Sequence, residues 1–544
     1  MNVSAKILKS YINNLFLLFI FFITIGQFQS CSSGKSSKPE IEIIQNDTIP
    51  IQDKIKFVLR TENLNLLGFD SEQQLELNRF YEKRGYNPLW INDSNLNIIG
   101  KTFDATVMRS EFYGIPNKRI HFTNKDKSLN WVQKEVYLTA QIALMLNDLN
   151  NGFMVPHELQ FKPMKFHNLD SLEHLKNRYT NYPDSVFFVQ GGPDTNYLKL
   201  KNQLYRFCKA YPIDKTSFNV CTQDKDSLYA LTETKKALIS KGYLSEINSL
   251  NESEYKKALF TFQEHNGLNK NQYIDEYTSK CLNESTYKKV LRTCYALERY
   301  RWNVTRPRKC IYINIPEYLL RFYHDDTIRA THKVITGKTE NPTPTLSSKI
   351  YKIITYPYWT VPQSIANKEI LPAVKGNVAY LRKNNFKIYG KSGEIDPYTV
   401  KWAKLSSNFP YKIVQDPGVG NSLGIVKFDF HNKYGVYLHD TPSKKLFKKD
   451  IRAFSHGCIR CENPLELAKL ILDYDSIPDM RNYHTRDSLD TLIHLQKHQE
   501  IKLISSIPIF IEYTTVTCGN EFPIFHFDIY RKEEKILSFL SDEI

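Results

Sequence analysis

The sequence lacks the features that would place it in several large classes at once. No apolar run approaches the roughly 20 residues that a membrane-spanning helix needs; the stretch from Leu15 to Ile25 is well short of that. Acidic residues do not balance basic ones, with 58 Asp and Glu against 73 Lys and Arg, which leaves a formal net charge of +15. That excess suits either an anionic partner or a solvated basic surface with no specific partner. No phosphate loop, nucleotide fingerprint or metal-ligand cluster stands out, so no cofactor and no metal are expected. The nine cysteines, at positions 31, 208, 221, 281, 294, 310, 458, 461 and 518, contain no pair of C-x-x-C motifs, which argues against a zinc site. Cys458-Ile459-Arg460-Cys461 does read as one C-x-x-C. A thioredoxin-like motif would need a nearby βαβ pattern that is not there, although Cys461 could still pair with Cys458 under oxidation.

What is present first is an export pattern. Lys6 and Lys9 precede the apolar run, and Gly26-Gln27-Phe28-Gln29-Ser30-Cys31 is followed by polar residues. This reads either as a lipoprotein signal, with Cys31 cleaved to and lipidated, or as an uncleaved signal anchor. Both readings put the bulk of the chain on the periplasmic side of a cell envelope, attached to the membrane. A polyanionic envelope is then a more economical partner than nucleic acid.

The length allows three or four domains. Residues 1–31 read as the signal or anchor and 32–53 as a tether. Residues 54–225 have a mainly helical pattern, including Gln73 to Arg84 and Trp131 to Leu149. Residues 226–285 read as a compact helical module. From 296 to 475 the segments Lys309 to Phe322, Thr327 to Gly337, Ser348 to Thr355, Val426 to Phe430 and Gly435 to His439 are rich in Ile, Tyr and Val, as antiparallel strands are. They predict a mostly β domain, a sandwich or partly closed barrel, with a helical and polar insertion at about 370–424. Residues 476–544 predict a peripheral helix and two strands, Ile507 to Tyr513 and Phe522 to Tyr530, read as a hairpin around Cys518-Gly519-Asn520 that returns to the catalytic sheet. The fold class is multidomain α+β.

The chemistry concentrates in Ser455-His456-Gly457-Cys458-Ile459-Arg460 and in Tyr437-Leu438-His439-Asp440. A thiol with its ordinary pKa of about 8.5 needs an imidazole partner to become a ready thiolate, so Cys458 reads as nucleophile and His439 as base. Backbone N–H groups near Gly457 and Cys458 are natural oxyanion donors. Asn463-Pro464-Leu465-Glu466 opens a helix just downstream, with Asn463 as N-cap and Pro464 in the first turn. Ser455 and His456 shape the loop, His456 being the alternative second acid or base. Arg460 meets either a substrate carboxylate or a structural partner. Trp359 and Tyr437 line the donor cleft or pack in the core.

The compound pattern of His439, fifteen residues, then Ser-His-Gly-Cys-Ile-Arg resembles the signature of the L,D-transpeptidases with a YkuD-type catalytic domain. Ala296 to Trp302, Ile313-Asn314-Ile315-Pro316 and Tyr356 to Pro362 follow the order of the large multidomain members. Phe80-Tyr81 with Pro88-Leu89-Trp90 is similar to their N-terminal scaffold. Leu228 to Leu282 resembles a peptidoglycan-binding module with its usual turn degraded to Asn271-Gln272-Tyr273-Ile274-Asp275, and it is either a binder or a spacer. The resemblance implies a flap over the active site and peptidoglycan stem peptides as donor and acceptor. It also implies a 3→3 cross-link formed through a Cys458 acyl-enzyme with release of D-alanine. A cysteine L,D-carboxypeptidase using water and a non-catalytic wall-binding lipoprotein are the rival expectations.

Overall fold

The computed structural model describes residues 48–92, 94–122, 129–178, 195–248, 251–302, 306–406, 410–477, 480–481 and 484–541. The signal, Cys31 and residues 32–47 of the tether lie outside them. Among the described residues no helix is long and apolar enough to cross a membrane. The described residues form two compact units, those within 48–97 and 129–137, and those within 98–122 and 138–541.

In the first unit, helices Ile51–Val58, Thr61–Leu66 and Ser71–Lys83 carry the apolar face. The last begins with a capping box in which Asp70 and Gln73 satisfy each other's backbone N–H groups. It buries Leu77, Phe80 and Tyr81, and Leu89 and Trp90 are buried as well. The Glu135 carboxylate accepts from Leu89 N at 2.7 Å, Trp90 N at 2.8 Å and the Tyr81 hydroxyl at 2.9 Å. Burial pushes this carboxyl up, and those three donors oppose the shift. The Pro88-Leu89-Trp90 turn is therefore fixed by a buried acid that periodicity does not reveal.

The second unit contains the helical module and the β domain. Helices Ser227–Ser240, Glu252–His265 and Glu276–Asn283 surround Ala237, Leu238, Leu259, Phe262, Ile274 and Leu282. The degraded turn still closes, because the Gln263 amide donates to Asn271 and to the Tyr273 carbonyl, and Asp275 caps the next helix.

Nine strands form the main sheet: β1 Cys310–Asn314, β2 Leu319–His324, β3 Thr327–Gly337, β4 Leu346–Thr355, β5 Val426–Phe430, β6 Leu438–His439, β7 Ala453–Ser455, β8 Ile459–Cys461 and β9 Gln499–Glu512. Their order is β7-β3-β8-β6-β5-β4-β9-β1-β2, and β2 pairs back onto β3. Eight strands thus close on themselves, which removes the open edges a sandwich would leave. The interior holds Ile311, Ile313, Leu320, Phe322, Ile353, Phe428, Leu438 and Ile459. Helix Pro464–Asp473 packs Leu467, Ala468 and Ile471 into the same core, with Asn463 at its N-cap position but making no side-chain cap bond.

Two expectations change here. The strand predicted at Ile507 to Tyr513 is the long β9, which begins at Gln499 and sits between β4 and β1 in the sheet. Its partner is not Phe522 to Tyr530; the hairpin there joins Val516–Cys518 to Pro523–Phe525. β9 pairs in parallel with β1, and local turn signals cannot announce so distant a partner.

The insertion is also more than a helical excursion. Trp359–Thr360, Lys412–Gln415, Phe386–Gly390 and Gly393–Ile395 form a separate four-stranded sheet in that order. Val374, Leu381, Ile388, Trp402 and Ile413 make a core of its own. Its structural start is thus at Trp359, eleven residues ahead of the predicted boundary at 370.

Candidate active site

The site is set by register. Parallel strands β6 and β8 pair Leu438 with Ile459 and His439 with Arg460. Ile459 N donates to Tyr437 O at 3.0 Å, which puts Tyr437 beside Cys458. Side chains alternate faces along a strand, so Tyr437, His439, Cys458 and Arg460 share one face. Leu438, Ile459 and Cys461 share the other and lie in the core. Cys458 and Cys461 therefore point to opposite sides of the sheet. Both are free, and the C-x-x-C spacing makes no redox pair here.

Antiparallel β5 extends the row, with Lys427 opposite His439. A residue on each neighbouring strand, Lys427 and Arg460, thus brings a cation alongside the imidazole. His439 is buried, and its Nδ1 has no hydrogen-bond partner among the described residues. Burial first, and then Arg460, push its pKa down to about 3, so the ring is neutral and able to accept a proton.

Cys458 is half-buried. Burial pushes its thiol up, while the Tyr437 N–H and hydroxyl, as hydrogen-bond partners of the sulfur, and the charges of Lys427 and Arg460 pull it back. The resting pair is thus a neutral thiol and a neutral imidazole. The sulfur's direct partner is Tyr437, with His439 diagonal to it across the strand pair. Tyr437 in turn hydrogen-bonds Trp359, whose ring lies 6.2 Å from that of Phe386 in the insertion. Lys427 Nζ rests 4.4 Å from the Tyr437 ring centroid and 2.7 Å from Asp429 Oδ1.

The loop before the cysteine is held tightly. Ser455 Oγ donates to Cys458 O at 2.5 Å and accepts from Gly457 N at 3.1 Å. Gly457 N–H is thus taken up within the loop, which bears on the oxyanion role expected of the N–H groups near Gly457 and Cys458. The Cys458 N–H, without a partner among the described residues, is the candidate. Gly457 has φ of +116°, a conformation that L side chains rarely adopt. Thr343 Oγ1 donates to Gly457 O at 2.9 Å, Lys338 N donates to Ser455 O at 3.0 Å, and Tyr530 bridges Gly337 O and Thr343 N. A Cβ on Gly337 would lie 2.1 Å from Asn341 O, so this bracing turn admits no side chain there.

His456 pairs its Nε2 with Glu369 Oε1 of the insertion at 2.6 Å. Arg460 has no structural carboxylate partner among the described residues, and its Nε is buried without a hydrogen bond. Of the residues that sequence reasoning missed, Lys427 and Asp429 alternate with Val426, Phe428 and Phe430, a period-two polar face that was available to be read. Glu369, Thr343 and Tyr530 are joined to the site only by chain reversals, and no local signal marks them.

Residues 308–478 match the YkuD family, described as an L,D-transpeptidase catalytic domain, and residues 75–204 match a family described as a scaffold domain. Over 227 residues the chain is 30% identical to a putative L,D-transpeptidase of Haemophilus influenzae, covering 42% of this chain and 45% of that protein. The chain thus spans less than half the length of the curated relative it matches. Among solved structures, a mutant L,D-transpeptidase of Enterococcus faecium is 10% identical over 38% of this chain and 50% of its own, with a TM-score of 0.19. An L,D-transpeptidase of Stackebrandtia nassauensis is 12% identical over 52% of this chain and 90% of its own, also with a TM-score of 0.19. At those scores neither structure bears on the chemistry of this site.

Proposed function

We propose that the L,D-transpeptidase catalytic domain carried by residues 308–478 is an acyltransferase acting on peptidoglycan stem peptides, with Cys458 as nucleophile and His439 as its base. The observation that carries this reading lies inside that span: Cys458, Tyr437, His439 and Arg460 share one sheet face, with an unpartnered imidazole nitrogen beside a half-buried thiol.

Because thiol and imidazole are both neutral at rest, attack and proton transfer go together. The thiol proton passes to His439 as Cys458 Sγ bonds to the carbonyl carbon of the third stem residue. The Cys458 N–H faces the oxygen that gains charge. Collapse breaks the peptide bond to the terminal D-alanine, whose amine takes the proton from His439, and a thioester remains. An amine of a second stem then attacks the thioester, gives its proton to His439, and leaves a 3→3 cross-link with the thiol restored. Two separate half-reactions through one acyl-enzyme require that the first product leave before the acceptor enters.

The export pattern supports a membrane-attached protein on the periplasmic side of the envelope, and the +15 charge suits the polyanionic surroundings there. The helical module at 226–285 serves there either as a glycan binder or as a spacer.

Intact-mass spectrometry tests the reading. Incubation with a tetrapeptide-stem muropeptide or a carbapenem should add one acyl group to the protein and none to Cys458→Ala. An undiminished adduct in that variant would place the nucleophile elsewhere. Products made with and without an acceptor stem separate cross-linking from hydrolysis.

A further inference from the structure

We infer that Glu369 is a built-in competitor for the substrate's carboxylate: from the insertion it occupies the hydrogen-bonding site of His456, in the field of the Arg460 guanidinium that shares the sheet face of Cys458. The inference rests on the acyl-transfer reading only in naming the displaced ligand, the C-terminal carboxylate of the donor stem.

The charges around the thiol show why a receptor is open. Lys427 is neutralised by Asp429 at 2.7 Å, and Lys352 is held by Glu500 at 2.9 Å and by Asp429 at 3.7 Å. Arg460 has no ion pair among the described residues, although it lies on the Cys458 face and its Nε is buried without a hydrogen bond. A guanidinium so placed has its fork free for a planar acid. The acidic side chain whose charge reaches Arg460 is Glu369, which is already bound to His456 at 2.6 Å.

The fold of the insertion aims Glu369 at this loop. Ala366–Ile370 is a π-helical turn, a geometry enriched at functional positions. Ala366, Ile370, Leu371 and Val374 face the insertion's own core, which directs Glu369 outward to the Ser455-His456-Gly457-Cys458 loop. The contact is also weak enough to exchange. His456 is 33% exposed and Glu369 51%, and a polar contact so open to water holds its partners by no more than about fivefold. A carboxylate carried by a bound peptide would reach both His456 and Arg460 while its scissile carbonyl lies near Cys458. Glu369 reaches His456 and only the field of Arg460, so the peptide carboxylate takes its place. A substrate lacking that carboxylate would leave Glu369 where it is, which makes the device a test of substrate charge.

The experiment measures alkylation of Cys458 in the full chain, by peptide mapping, with iodoacetate and iodoacetamide. The two reagents differ in charge, and mapping separates Cys458 from the partly exposed Cys221 and Cys518. In Glu369→Gln the iodoacetate rate should rise about threefold while the iodoacetamide rate stays within about twofold, the scale of one exposed pair. In Arg460→Gln both rates fall, because this cation also favours the thiolate, and the ratio of the iodoacetate rate to the iodoacetamide rate should fall below wild type. Equal acceleration of both reagents in Glu369→Gln would mean that Glu369 only covers the thiol, and no change in either would mean it does not compete; both results overturn the inference. Neither bears on acyl transfer itself, which the muropeptide adduct decides separately.

Discussion

At the scale of single residues, the reactivity of Cys458 depends on what faces it across the β6–β8 pair. The Tyr437 hydroxyl and N–H favour the thiolate against the cost of burial. Tyr437→Phe removes one of those donors and should raise the pH midpoint of Cys458 alkylation by about half a unit to one unit, slowing the reaction at pH 8 by about three- to tenfold. An unmoved midpoint would mean that the hydroxyl serves packing alone. Gly457 is constrained for a different reason. With φ of +116°, a Cβ there carries backbone strain of about 1–3 kcal/mol. Gly457→Ala should therefore lower the thermal midpoint and also slow Cys458 acylation, because the same turn sets the direction of the Cys458 N–H. Loss of stability without loss of acylation would separate the two roles.

At the scale of elements, the insertion behaves as a small folded body grafted between β4 and β5. Its core residue Ile388 is fully buried within that body, away from the barrel core. Ile388→Ala should cost about 2–4 kcal/mol locally. Hydrogen exchange should quicken across 359–415, while β1, β4 and β9 keep their protection. Equal loss of protection in the barrel would show that the two cores are one cooperative unit. β9 shows the opposite relation. Ile507, Ile509 and Ile511 are fully buried in the barrel core, and the strand pairs with β4 on one side and β1 on the other. Ile509→Ala should accordingly destabilise the whole barrel by about 2–5 kcal/mol, with every strand exchanging faster together.

At the scale of the whole molecule, buried histidines tie stability to pH. Burial pushes His439 down to about 3 and His265 and His526 to about 4, from 6.5 when unfolded. A group whose folded pKa is depressed binds more protons when unfolded below pH 6.5, so each histidine removes stability as pH falls from 6.5 toward its folded value. Glu533 acts in the opposite sense: burial raises it to about 7, so its contribution grows as pH falls from 7 to about 4.5. Glu135, Asp148 and Asp450 are raised as Glu533 is, and His332 is lowered as the other histidines are, so the profile is read by substitution: His526→Gln should remove a loss of about 1 kcal/mol per pH unit between about pH 6 and 4.5. Denaturant melts of both proteins at pH 7, 6 and 5 check this, and an unchanged profile would show that His526 is hydrated in the folded state.

The sequence by itself determined what is local or periodic. The Ser-His-Gly-Cys loop, the helix after Asn463, the apolar strands around Ile313, Ile353 and Phe428, and the likeness of residues 308–478 to the YkuD family are all readable from neighbours in the chain. Tertiary structure alone decided what depends on distant pairing. The parallel register that puts Tyr437 beside Cys458, the insertion of β9 between β4 and β1, the Glu135 carboxylate under Trp90 and the Glu369 contact with His456 each join residues tens of positions apart. A side chain's alternation between faces is fixed by its own strand, but which strand it meets is fixed by how the barrel closes, and closure minimises unpaired edges over the whole sheet at once.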